Sequence, residues 1–166
     1  MSDTPRWLLF QGPTDVITAN RPAGVTDCLR QVEIESARGL YAAGFVTYEA
    51  SPAMDPAFEV RPAHGLPLIW FGLYERCEDI TMSAVEKQAV YLSGWQPSAP
   101  LSEYRESISE IKRRIAAGDT YQVNFTFRLR SAFRGNPWDM FLMIGGAQGC
   151  SYSAYINLTE WTERER

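Results

Sequence analysis

Residues 103–130 constrain this chain most, because a helical pattern gives way there within a few residues to a strictly alternating one. Tyr104, Ile108, Ile111 and Ile115 recur at steps of four, three and four, which puts them on one face of a helix from about Glu103 to Ala117. Ser102 is the expected N-cap. Gly118 can end the helix in the left-handed conformation at no steric cost, and Asp119-Thr120 then turns the chain. Beyond the turn, Tyr121, Val123, Phe125, Phe127 and Leu129 alternate with Gln122, Asn124, Thr126, Arg128 and Arg130, the period of a half-buried antiparallel strand. The polar row is either an ordinary solvated face or a set of amides and hydroxyls lining a site. Periodicity does not separate the two.

The remaining segments read as α+β, with antiparallel sheets flanked by helices. Trp7 to Gln11 and Val16 to Ala19 are short apolar runs around Gly12-Pro13, as in a hairpin or a strand pair with a loop. Thr26 to Arg38 reads as a helix with a partial stripe of Leu29, Val32 and Ala37, stopped by Gly39. Ala43 to Glu49 and Leu68 to Tyr74 read as strands flanking a connection that holds Pro52, Pro56, Pro62 and Pro67. Ala89 to Trp95 reads as a further strand. The connector Gln96 to Pro100 then separates two expected regions, 1–97 and 98–166. Asn136-Pro137 opens a mostly buried helix carrying Trp138, Phe141, Leu142 and Ile144, with Asn as cap and Pro at the first helical position. Gly145 to Gly149 has neither glycine order of a phosphate loop and reads as a helix terminus and turn. Tyr152 to Leu158 alternates as a final strand.

Composition excludes several classes of function. A net charge of −4 over 166 residues, spread without blocks, argues against nucleic acid, which needs a basic patch or stripe. No run approaches the roughly 18 apolar residues of a membrane span, and the amino terminus has no basic-then-apolar signal pattern. Cys28, Cys77 and Cys150 are odd in number and widely spaced, which suits buried, reduced thiols in the cytoplasm and neither zinc nor a disulfide framework. His64 is the single histidine and lies in a loop, so a serine triad or histidine metal site has at most one candidate imidazole. Glu49 and Asp55 are the carboxylates to weigh for acid or base work; the structural reading has Glu49 accepting backbone hydrogen bonds and Asp55 capping a turn.

The phrase AAGDTYQVNFTFRLRSAF, residues 116–133, resembles the start of the chorismate-binding region of the aminodeoxychorismate synthase component I family. Anthranilate synthase component I, isochorismate synthase and salicylate synthase are its more distant relatives. Four other segments, LLFQGPTDVITA (8–19), GLYAAGFVTYEASPAMDPAF (39–58), LPLIWFGLYE (66–75) and NPWDMFLMIGGAQGCSYSAYINL (136–158), are similar to the family in the expected order. The resemblance implies the amino-terminal part of an anthranilate synthase component I-like fold. It makes 1–97 the amino-terminal region of the synthase component and 98–166 the start of a chorismate-binding region.

What the family does follows from the same resemblance. Its members combine chorismate with ammonia, released from glutamine by a glutaminase subunit or domain, to give 4-amino-4-deoxychorismate on the way to 4-aminobenzoate and folate. Magnesium holds the chorismate carboxylate, and a lysine forms a covalent adduct. The family's Ser-Pro-Glu, Pro-Ile-Lys-Gly-Thr and magnesium-binding glutamate segments have no counterpart in these 166 residues, so the chain is expected to be an amino-terminal fragment without catalytic or metal-binding residues. Its two lysines, Lys87 and Lys112, sit in polar or helical settings that do not match the nucleophile. A tryptophan pocket in the family's amino-terminal half maps here onto Arg6, Trp7, Ser151, Tyr152 and Ser153, with Ser151 where the family often has proline. The alternative for Tyr152 is packing within a strand core. A chain of this kind is expected to belong to the enzyme, or else to act at most as a tryptophan- or glutaminase-binding module or to belong to anthranilate synthase component I.

Overall fold

The computed structural model of the chain describes residues 6–62, 65–80, 88–148 and 152–158. It divides into two compact units, one of residues 1–85 together with 156–166 and the other of residues 86–155. Both mix helices with antiparallel pairs, the α+β class expected from the sequence.

In the first unit the central element is β4 (Ile69–Tyr74), paired antiparallel on one side with β2 (Asp15–Ala19) and on the other with β3 (Tyr41–Val46). Apolar side chains along all of β4 explain its position, since a strand covered on both faces reads as a continuous hydrophobic run. Ile69 and Leu73 are fully buried. On one face the core joins Ala19, Val25, Ala50, Leu68 and Ile69, with Leu29 and Phe71 packed against it. Helix α1 (Pro22–Ala37) supplies Val25 and Leu29 to that core. Residues of the alternate register form a second cluster, in which Phe45 stacks on Trp70 at 6.3 Å and Phe10 lies 5.2 Å from Tyr74. Each fully buried aliphatic side chain contributes about 1.5–3 kcal/mol at most.

Several local expectations are corrected here. β1 (Trp7–Leu9) and β2 are not a hairpin: β1 pairs with β5 (Glu78–Ile80) and β2 with β4. Helix α1 starts four residues earlier than expected, because Pro22 is pre-set for the first helical position, and that adds Val25 to its buried stripe. β3 stops at Val46, and Tyr48–Ala53 is a 3-10 turn that carries Glu49. Asp55 does organise its turn, its Oδ1 accepting from the Ala57 N–H at 2.8 Å. Cys28 and Cys77 are half-buried instead of buried, and burial raises the Cys28 thiol pKa. His64, Lys87 and Cys150 lie outside the described residues.

The second unit is organised by a long antiparallel ribbon. β6 (Tyr91–Leu92) pairs with β9 (Phe133–Arg134), and β7 (Gln96–Pro97) with β8 (Leu129–Arg130). Between these ladders Ser93 N–H donates to the Ala132 carbonyl at 3.0 Å, and farther along Ser98 N–H donates to that of Arg128 at 2.8 Å. Gly94 and Trp95 therefore stand opposite the single residue Ser131, a β-bulge. Pro97 is tolerated because it faces Leu129 in a pair that exchanges no ladder hydrogen bonds. The strands expected over 89–95 and 121–129 are thus displaced: pairing runs from 91 to 98 against 128 to 134, and 121–127 has no partner among the described residues. The connector Gln96–Pro100 belongs to this unit.

Helix α2 (Leu101–Ala117) ends as expected, with Gly118 left-handed at φ 80°. Its N-cap is Pro100 and not Ser102, which falls inside the first turn, and no side chain caps it. Glu110 is gripped by Arg113 (Nε and Nη2, both 2.7 Å) and by Arg114 Nε (2.8 Å). Side-chain hydrogen bonds from Arg113 and then Arg114 lower its pKa to about 2. Helix α3 (Pro137–Gln148) opens as expected, with Asn136 Oδ1 accepting from the Trp138 N–H at 2.9 Å. It continues through Gly145 and Gly146, so these are not its terminus, and Gly149 lies outside the described residues. Leu142 is buried, Trp138 and Phe141 are half-buried, and Ile144 is exposed. No strand forms over 152–158.

A Cβ at Gly44 would collide with the Trp70 carbonyl and lie 2.6 Å from the Phe71 Cα. Gly44→Ala should therefore cost about 1–3 kcal/mol or more in urea unfolding. Gly94→Ala, where nothing lies within 4 Å, should change stability by less than about 1 kcal/mol. The Glu110 carboxyl, followed by carbon NMR, should titrate near 2 and not near 4.5. Because its pKa is lowered, its contribution is present above pH 4.5 and lost as pH falls through about 2. Being exposed, it should titrate closer to the ordinary value in 1 M salt, where screening acts within about 3 Å.

Candidate functional site

The polar row singled out in the sequence, Gln122, Asn124, Thr126, Arg128 and Arg130, is exposed throughout. The Gln122 carbonyl accepts from Thr120 Oγ1 at 3.1 Å, and the Arg128 N–H donates to Ser98 Oγ at 3.0 Å. The apolar row packs only in part. Tyr104 of α2 meets Phe125 edge-on at 5.7 Å and Phe127 at 5.9 Å, a favourable arrangement of rings. Tyr121 is 90% exposed and Leu129 54%, so this strip encloses no cavity. A shallow shelf along α2 is lined by Arg105, Glu106, Ser109, Glu110 and Arg113, and two of these are committed to each other.

In the first unit a recess is lined by Gln11, Gly12, Thr14, Tyr74, Glu75 and Glu78. Thr14 closes it from below, its N–H and Oγ1 both donating to the Leu73 carbonyl at 2.8 and 3.1 Å. Burial raises the Tyr74 phenol pKa above its ordinary value. None of the site residues expected from the sequence lines this recess.

The positions mapped to a tryptophan pocket are spread over both units. Arg6 is exposed and its Nε donates to Asp79 Oδ2 at 3.0 Å, while Trp7 is half-buried in β1 opposite Ile80. Both belong to the first unit, whereas Tyr152 and Ser153 belong to the second and are exposed. Tyr152 is 95% exposed, which overturns its reading as strand-core packing. Ser151 lies outside the described residues.

One buried carboxylate escaped the sequence reading. Asp139 is 5% exposed, and its Oδ1 accepts from the Gln88 N–H at 3.1 Å. It sits in the first turn of α3, where the helix dipole favours negative charge. An acidic residue three places after a helix-opening Asn is the signal that marks it. Among the described residues no group of three or more His, Cys, Asp or Glu is placed to hold a metal ion. Lys112 is exposed on α2. No helix among the described residues is long and apolar enough to cross a membrane.

Comparison with known proteins bears on the same segments. A stretch of 68 residues is 34% identical to aminodeoxychorismate synthase component 1 of Klebsiella aerogenes, covering 41% of this chain and 15% of that protein. The protein of the same name from Escherichia coli strain K12 is 29% identical over 68 residues, covering 41% of this chain and 15% of the relative. That of Salmonella typhimurium is 30% identical over 66 residues, covering 40% and 14%. The chain thus spans about 15% of the length of the curated relatives it matches. No solved structure matches it. The model of the chorismate binding enzyme family matches residues 78–162, which takes in the ribbon, α2 and α3. With half of its length matched in this way, the chain belongs to the chorismate binding enzyme family.

Proposed function

We propose that this chain is part of an aminodeoxychorismate synthase component, a cytoplasmic enzyme that joins chorismate and ammonia to give 4-amino-4-deoxychorismate. A glutaminase partner supplies the ammonia, and the product leads to 4-aminobenzoate and folate. The observation that carries this proposal is the family match over 78–162, together with the identity to proteins named aminodeoxychorismate synthase component 1. Residues 1–97 then form the amino-terminal region, and 98–166 open the chorismate-binding region. The 166 residues carry no Ser-Pro-Glu or Pro-Ile-Lys-Gly-Thr segment, so the adduct-forming lysine and the magnesium ligands are assigned to residues outside this sequence. The covalent step suits a lysine in a desolvated pocket, a setting that exposed Lys112 does not have.

A second proposal is supported by the same exposed lysine and by the missing metal cluster among the described residues: the 166-residue chain by itself does no chemistry. It would bind at most tryptophan, through Arg6, Trp7, Ser151, Tyr152 and Ser153, or a glutaminase.

An ammonia-dependent assay of the isolated chain with chorismate and magnesium should give no turnover above background. Turnover would sink the second proposal and place the chemistry in these residues. Tryptophan at a hundred times its dissociation constant would stabilise a folded pocket by about 2.7 kcal/mol. A tryptophan titration in a thermal melt should therefore raise Tm by several degrees. A flat response removes tryptophan from the list of ligands and leaves the enzyme proposal standing.

A further inference from the structure

We draw no further inference here: the strongest candidate, the recess at the end of β4 lined by Gln11, Thr14, Tyr74, Glu75, Arg76 and Glu78, rests on an exposed charged cluster, and the buried Tyr74 lays its hydroxyl over Gly72, so nothing among the described residues shows what ligand the recess would take.

Discussion

The antiparallel pairing of β4 with both β2 and β3 is the constraint on which the first unit depends. It fixes Ile69 and Leu73 in full burial and sets Phe71 over Gly44, where even a methyl group finds no room. Helix α1 then has one surface to cover, and Val25 and Leu29 meet it. Because a one-residue slip would exchange the two faces of every strand, the apolar pattern and the close approach at Gly44 specify the same register. The indole N–H of Trp70 has no hydrogen-bond partner among the described residues, a local cost of about 1–3 kcal/mol that the surrounding packing outweighs.

The second unit is held differently. Its ribbon is only two strands wide and bends at a bulge, where Ser93 and Ser131 substitute side-chain hydrogen bonds for part of the ladder. An isolated two-stranded ribbon is marginal in water. Its helix α2 is stabilised locally, by the left-handed Gly118 and by the grip of Arg113 and Arg114 on Glu110, more than by burial. Exposed pairs of this kind are worth little individually. The contrast between a buried three-stranded sheet and an open ribbon places the family-matched half of the chain among the less self-sufficient parts of the fold.

Local signals in the sequence are legible where local chemistry decides the outcome. Gly118 ends α2, Asn136 and Pro137 open α3, and Asp55 organises its turn, each through bonds made within a few residues. The candidate site was less legible. Arg6 and Trp7 fall on one unit and Tyr152 and Ser153 on the other, and the buried Asp139 came forward only with its partner Gln88, distant in sequence. The recess at Thr14 and Tyr74 depends on the meeting of two segments distant in sequence, which no periodicity reveals.

The sequence by itself determined the α+β class, the two strong helices and their ends, and the family, because these rest on spacing, capping chemistry and residue identity along a contiguous stretch. Tertiary structure alone decided which strands pair. Trp7–Leu9 chose Glu78–Ile80 over its neighbour in sequence, and the alternation at 121–127 forms no ladder among the described residues. The physical reason is that a helix satisfies its hydrogen bonds within itself, whereas a strand exists only where another strand completes it.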